Sequence, residues 1–190
     1  MNSINEAKQR LTELESKSTF EKMVQVAAIL TKLLEKKHIR PVIVGGLAVE
    51  IYTRSDYTTV DIDMIVSDRE LAGEILKELG FTIEGRHWYH ERLLVSIEIP
   101  NDMLEDADDS KVTEIQITDE LKIFVIGIED IILDRLRACI HLKSTSDCEW
   151  GKRMYLLHHE RLDIEYIKEM SKKDLTMKLL EQWLQESKYI

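Results

Sequence analysis

Two aspartates, Asp61 and Asp63, lie two residues apart in the run VDIDMIV, and all the remaining residues of this run are apolar. Alternate residues of a β-strand point to the same side, so the strand predicted over 60–66 places both carboxylates on one face, about 7 Å apart. Holding two like charges against an apolar strand is costly unless a cation neutralises them. Carboxylate oxygens suit Mg²⁺, with Mn²⁺ as a second choice. The pair therefore predicts a divalent-metal site.

Glu98 is the candidate for a third acidic ligand. Two-metal phosphoryl transfer commonly requires a third carboxylate beside the first two, and the strand predicted over 93–99 offers one. Both neighbours of Glu98 are isoleucine, so its side chain faces away from the apolar side of that strand. Asp102 is the runner-up. The alternative is that Glu98 is an ordinary solvent-facing residue of an antiparallel strand.

A glycine pair, Gly45 and Gly46, follows the short apolar strand predicted over 41–44 and precedes a helical segment predicted over 47–53. Glycines at a strand-to-helix turn let backbone N–H groups approach phosphate oxygens, and the positive start of the helix assists them. The pair precedes the two aspartates by about fifteen residues in the printed sequence. This spacing predicts a triphosphate cradle beside the metal ligands.

Apolar periodicity predicts helices at the start of the chain, a strand-rich middle and helices again from residue 128. The remaining strands are expected over 81–84, 87–90, 112–117 and 121–125, and a helix that includes residues 71–79 ends at Gly80. We therefore expect an α+β fold in which helices flank a mixed β-sheet. The expected division is a core with N-terminal helices in residues 1–126 and a helical region in residues 127–190.

The net charge of −10 over 190 residues limits the classes of partner that this chain is expected to bind. Broad binding to nucleic acid or to an anionic membrane relies on a positive surface, so both are disfavoured. No apolar run approaches the roughly 20 residues that span a bilayer, and the polar N-terminus lacks the apolar core of a signal peptide. We expect a cytoplasmic protein without membrane association, and its helical flanks could support an oligomer.

Three further features of the sequence do not indicate a catalytic or metal-binding site. Cys139 and Cys148 have no metal-ligand spacing, and in a cytoplasmic protein we expect two reduced thiols. The acidic stretch over 105–109 lacks the glycine and terminal glutamate of a calcium-binding loop, which indicates a solvated loop. The spacing of the histidines does not indicate a zinc site.

The stretch VGGLAVEIYTRSDYTTVDIDMIV resembles the signature of the polymerase-β-type nucleotidyltransferase superfamily. More narrowly, it is similar to small bacterial nucleotidyltransferases of the minimal and abortive-infection-toxin kind, which often read G-G-x-A…T-x-D-I-D. The matching positions are Gly45, Gly46, Ala48, Thr59, Asp61 and Asp63. The resemblance implies that the aspartates bind Mg²⁺, and that the glycine turn, with Thr59 beside it, binds the nucleotide.

Three residues beyond the core motif carry looser parts of the same resemblance. Arg135, in EDIILDRLRA, matches a helix with a basic residue, which implies a place near the triphosphate. Asp147 resembles a following acidic motif, with Lys152 a turn later as a further nucleotide-binding candidate. Relatives often carry an arginine and a lysine shortly before D-I-D, where this chain has Tyr57 and Val60.

The resulting hypothesis is a metal-dependent nucleotidyltransferase that moves a nucleoside monophosphate from a nucleoside triphosphate, ATP included, to an acceptor hydroxyl. Asp61, Asp63 and Glu98 would be catalytic. The acceptor is left open among a tRNA end, a protein hydroxyl and a small molecule. The alternative is a catalytically weak module of the same fold, such as an antitoxin or a nucleotide sensor.

Overall fold

A mixed seven-stranded sheet forms the centre of the computed structural model, which describes residues 3–187. The strands are β1 (Val42–Val44), β2 (Asp61–Ile65), β3 (Thr82–Glu84), β4 (His87–His90), β5 (Val95–Glu98), β6 (Thr113–Thr118) and β7 (Leu121–Val125). Their order across the sheet is β3-β4-β5-β2-β1-β7-β6. The β2–β5 and β1–β7 pairs are parallel and the others are antiparallel, so the predicted α+β fold with a mixed sheet is confirmed.

The helices lie before, between and after the strands. They are α1 (Ile4–Glu13), α2 (Thr19–Glu35), α3 (Gly45–Tyr52), α4 (Arg69–Leu79), α5 (Ile128–His141), α6 (Thr145–His158), α7 (Ile164–Lys173) and α8 (Met177–Glu186). Ser18 and Glu21 form a capping box that starts α2, and Gly80 ends α4 in the left-handed conformation. Helix α3 begins at Gly45, two residues earlier than the sequence predicts.

The two faces of the sheet have different roles. The side chains of Ile43, Ile62, Met64 and Ile97 are fully buried and belong to the hydrophobic core, in which α2 packs against β2, β5 and β7. On β2 the alternate positions, led by Asp61 and Asp63, are only partly buried. Strand periodicity therefore places one face in the core and leaves the other available for a site.

Four predicted strands are longer than the observed ones, and for two of them the structure gives the reason. Val60 lies outside β2 and has 75% of its surface exposed. Residues 58–60 belong to the loop that enters β2 rather than to the sheet. Leu94 has a φ of 55°, which interrupts an extended strand, so β5 starts at Val95. In both cases an apolar residue at a strand end belongs to a connection.

The prediction of two reduced thiols is wrong, because Cys139 and Cys148 form a disulfide. Residues 142–144 connect α5 to α6, and the two helices pack closely against each other. This hairpin brings the two Cα atoms to 4.7 Å, within the range that a disulfide requires. Cysteines nine residues apart share no spacing motif, so only the helix hairpin indicates the pairing.

Within residues 3–187, every helix is too short or too polar to cross a membrane. Between Gly127 and Ser187 the described elements are all helical. The proposed division into residues 1–126 and 127–190 stays a prediction, and its last three residues lie outside the described part of the chain.

Candidate functional site

Three carboxylates lie on one face of neighbouring strands. Asp61 and Asp63 occupy alternate positions of β2, and Asp63 is paired in register with Glu98 on the parallel strand β5. All three residues are partly buried, whereas Ile62 and Ile97 between them are fully buried. The topology therefore brings an acid distant in sequence to the strand beside the D-I-D pair.

Gly45 lies in direct contact with Asp63. Its φ is +59°, and a Cβ atom built there would overlap the Oδ2 atom of Asp63. The backbone N–H of Gly46 also donates a hydrogen bond to the Asp63 carboxylate, which favours its ionised form. Only glycine combines this backbone conformation with the close approach of a carboxylate.

Gly46 makes a second close approach, to Thr59. A Cβ atom at Gly46 would lie 2.6 Å from the hydroxyl oxygen of Thr59. That hydroxyl donates a hydrogen bond of 2.9 Å to Oδ1 of Asp61. The glycine turn, Thr59 and the two aspartates are thus one contiguous group, held by side-chain contacts as well as by the sheet.

The electrostatic environment of Asp63 is unfavourable for its charge. Burial raises the pKa of its carboxyl above the ordinary value, and the neighbouring charges of Asp61 and Glu98 raise it further. The hydrogen bond from Gly46 and the positive charge of Arg135 act in the opposite direction. A cation placed among these carboxylates would offset the repulsion, so the oxygen donors present fit a hard divalent metal.

The Glu98 carboxylate contacts basic groups on its other side. Its oxygens lie 3.2 Å from Nε of Arg86 and 3.7 Å from Nδ1 of His87. The Arg86 side chain is 76% exposed, and ion pairs of this kind contribute only about 0–1 kcal/mol. Over residues 3–187, no three His, Cys, Asp or Glu side chains converge closely enough to hold a metal ion in this conformation.

Arg135 projects from α5 toward the same region. Its guanidinium donates a 2.7 Å hydrogen bond to Asp147 of α6 and lies 3.6 Å from Asp134. The side chain is 16% exposed, and its Nε is buried without a hydrogen-bond partner among the described residues. Its charge lowers the pKa of Asp63, so Arg135 is an electrostatic neighbour of the carboxylates while paired with Asp147.

Two other candidates from the sequence have different surroundings. Lys152 forms an ion pair of 2.5 Å with Glu186 of α8. Asp102 is exposed in the loop after β5, where its backbone N–H donates to the Asn101 side chain. The structure shows neither side chain in contact with Asp61 or Asp63.

Glu50 is a supporting residue that the sequence reasoning missed. It is 3% exposed, and its carboxylate accepts a 3.1 Å hydrogen bond from the backbone N–H of Thr59. The contact ties α3 to the loop that enters β2, and so fixes the residue that bonds Asp61. The one signal in the sequence is an acid inside the otherwise apolar segment GGLAVEIY.

Replacing Glu50 with alanine is expected to lower the free energy of unfolding by about 2 kcal/mol, because the partly buried backbone N–H of Thr59 loses its acceptor. Urea denaturation measures this loss. The matched control is Glu78→Ala on the exposed side of α4, which is expected to change stability by less than about 0.5 kcal/mol. Equal losses in the two variants would contradict the assigned role of Glu50.

The family and structure comparisons agree with the geometry of the site. Residues 21–189 match the model of a family described as "Nucleotidyltransferase of unknown function (DUF6036)". No curated protein sequence matches the chain. An antigenic nucleotidyltransferase-like protein from Paracoccidioides brasiliensis has a similar structure, with a TM-score of 0.54 and 16% identity over 82% of this chain and 90% of that one.

The antibiotic-resistance factor ANT(2'')-Ia is a second structural neighbour. Its TM-score is 0.50 at 16% identity, and the alignment covers 85% of this chain and 97% of that one. At this level of identity the two neighbours establish the shared fold.

Proposed function

The chain belongs to the DUF6036 family of nucleotidyltransferases, and from that premise we propose that it transfers a nucleoside monophosphate from a nucleoside triphosphate to an acceptor hydroxyl. The acceptor oxygen bonds to the α-phosphorus, the bond between that phosphorus and the pyrophosphate oxygen breaks, and pyrophosphate leaves. The hydroxyl proton passes to a carboxylate of the site or to solvent.

The observation that supports this proposal is the contact between Gly45 and Asp63. Two acids on a strand are common, but here one of them touches a left-handed glycine at the start of a helix. Glycine-opened helix starts bind phosphates through their free N–H groups. Phosphate-binding and metal-binding chemistry thus lie side by side.

Asp61, Asp63 and Glu98 would hold Mg²⁺, or Mn²⁺ in its place. When bound, the metal would neutralise charge that develops on the phosphoryl oxygens. Glu98 would join this set by releasing the exposed Arg86, and the loss of that ion pair would cost about 0–1 kcal/mol.

The remaining residues bind and orient the nucleotide. Val44, the residue that precedes α3, has no hydrogen-bonding side chain, so the first-turn N–H groups other than that of Gly46, which donates to Asp63, are available to phosphate oxygens. The Thr59 hydroxyl orients the Asp61 carboxylate. Arg135 supplies a positive charge, and its unpartnered Nε is a donor for a phosphate oxygen. Lys152 stays a more distant candidate.

Replacing Arg135 with methionine is expected to weaken nucleoside triphosphate binding by about 10-fold, since one charge-assisted hydrogen bond contributes about 1.5 kcal/mol or more. Isothermal titration calorimetry with Mg²⁺ and a nonhydrolysable triphosphate measures this change. Arg153→Met, on the exposed side of α6, removes the same charge and is expected to leave affinity within about twofold. A loss confined to Arg153→Met would contradict the role of Arg135.

The test of transfer uses the purified chain, Mg²⁺, each of four α-labelled nucleoside triphosphates and a cell extract. We expect one or more triphosphates to label a component of the extract in the presence of the wild-type chain. Heat-inactivated chain serves as the control. Equal labelling with active and inactivated chain would contradict the proposal.

A second candidate function is a binding module that senses nucleotides without turnover, in the manner of an antitoxin partner or a sensor. Its supporting observation is that Glu98 contacts Arg86 and His87 and leaves the metal set incomplete. Magnesium-dependent thermal stabilisation by a nucleoside triphosphate, compared with product formation, distinguishes the two. Triphosphate at ~100 times its Kd adds about 2.7 kcal/mol to the stability of a chain that binds it. Stabilisation without labelled product would favour the sensor.

A further inference from the structure

A cleft opens directly on Asp63 and Gly45. It has a volume of about 310 Å³ and lies between the sheet, α5 and the loop that follows β5. Its carboxylates come from three separate parts of the chain: Asp63, Glu105, Asp106, Asp130 and Asp134. A volume of this size suits a small molecule, since drug-sized ligands occupy pockets of about 300–1,000 Å³.

The positive charge that lines the cleft is already engaged. Arg137 is its one basic lining residue among residues 3–187, and its Nε lies 2.7 Å from the Asp174 carboxylate. A second nitrogen of Arg137 donates to the backbone carbonyl of Asp106. The Asp130 carboxylate accepts hydrogen bonds from the Tyr166 hydroxyl and from the Asp108 backbone N–H, and neither donor carries a positive charge. The cleft therefore presents an excess of negative charge to an occupant.

The walls of the cleft are apolar. Ile65, Ile126 and Ile131 line it from the sheet and from α5, and Met103 and Leu104 line it from the loop. Met103 is 61% exposed, so part of this apolar side chain faces solvent at the edge of the cleft. Apolar walls combined with a few charged groups are typical of a small-molecule site.

Of the nucleotide-binding candidates, only Gly45 lines the cleft. Gly46, Thr59 and Arg135 do not line the cleft. The five carboxylates would repel a triphosphate or a nucleic-acid backbone. Gly45 and Asp63 thus lie at the boundary between a phosphate-binding side and an acidic side, which leaves the acidic cleft for the second substrate.

We propose that the acceptor is a small organic cation that carries both a hydroxyl and amino groups, and that it binds in this cleft beside Asp63. This inference rests on the proposed transfer reaction and selects among the acceptors that the sequence left open. The carboxylates pair with the amino groups, and the apolar walls contact the carbon skeleton. The negative charge of the cleft disfavours a tRNA end, because its carboxylates would repel the phosphates of the RNA.

Binding of spermine, measured by calorimetry at low salt, tests the cleft without any requirement for catalysis. The double variant Glu105→Gln/Asp106→Asn removes two charges from its rim, and Asn tolerates the φ of 52° at position 106. We expect spermine to bind this variant about 10-fold more weakly than wild type, as two exposed ion pairs imply. The matched control, Asp119→Asn/Glu160→Gln, changes two exposed acids outside the cleft.

Equal affinities of the two double variants for spermine would overturn the cation site. A second arm separates a cell extract by cation exchange, then supplies each fraction with the chain, Mg²⁺ and α-labelled triphosphates. Label in the retained small-molecule fraction, reduced about 10-fold in kcat/KM by the cleft variant, supports the proposal. Label on tRNA, on protein or in neutral compounds overturns it. No label in any fraction contradicts the transfer reaction, while the spermine result still decides the cleft.

Discussion

Replacing Asp63 with asparagine is expected to lower kcat by about 10³-fold, which corresponds to about 4 kcal/mol of lost transition-state stabilisation. The same variant is expected to have a higher Tm than wild type when Mg²⁺ is removed with EDTA. Burial and the charges of Asp61 and Glu98 raise the pKa of Asp63, so its ionised form opposes folding. Asparagine removes the charge at almost constant volume.

The pH dependence of this difference has a defined sign. A carboxyl with a raised folded-state pKa contributes its stability below its unfolded pKa and loses it as the pH rises through the folded-state value. The Tm advantage of Asp63→Asn should therefore be largest near neutral pH and shrink as the pH falls through the raised folded-state pKa of Asp63 toward the ordinary carboxyl value of ~4. Calorimetric scans from pH 4 to pH 8 measure it.

Asp119→Asn is the control for the loss of one negative charge, because Asp119 is exposed in the turn after β6. It should leave both kcat and the pH profile of Tm unchanged. An Asp63→Asn variant with wild-type kcat would contradict the assignment of Asp63 as a metal ligand. An Asp63→Asn protein less stable than wild type at pH 7 would show that the charge is compensated in the folded chain.

Replacing Gly45 with alanine is expected to have the second-largest effect. The alanine must adopt a φ near +59°, which costs about 1–2 kcal/mol, and its Cβ overlaps the Asp63 carboxylate. With the displacement of Asp63 included, we expect a loss of about 2–4 kcal/mol in the free energy of unfolding. A carboxylate displaced by about 1 Å would lower kcat by about 10²-fold.

Gly85→Ala separates these two causes. Gly85 has a φ of +63°, and a Cβ atom there has no neighbour within 4 Å. This variant is expected to pay only the backbone penalty, about 1–2 kcal/mol in urea denaturation, and to keep its kcat. If Gly45→Ala and Gly85→Ala lost equal stability and kept equal activity, the Gly45–Asp63 contact would have no catalytic importance.

Local patterns predict much of the fold because the determining interactions are local. The alternation of Asp61, Ile62, Asp63 and Met64 indicates which face of β2 is buried, and Gly80 marks the end of α4. The resemblance to nucleotidyltransferases is confirmed by the family match over residues 21–189. Strand ends were less predictable, since Val60 and Leu94 are apolar but belong to connections.

Contacts between distant parts of the chain could not be predicted in the same way. The partner of Asp63 depends on the order of strands, which places β5 beside β2. The hydrogen bond that the Thr59 backbone N–H donates to Glu50 depends on the path of one loop. The loop over 105–109 is solvated as expected, but its start lines the cleft beside Asp63 because the chain after β5 returns toward α5.

A crystal of the chain with Mn²⁺ and a nonhydrolysable nucleoside triphosphate tests the central claim most directly, because the anomalous signal of manganese locates the metal. We predict a manganese peak about 2–2.3 Å from oxygens of Asp61 and Asp63, with Glu98 turned toward it and the triphosphate at Gly45 and Gly46. A nucleotide bound elsewhere, or manganese without contact to either aspartate, would contradict the account.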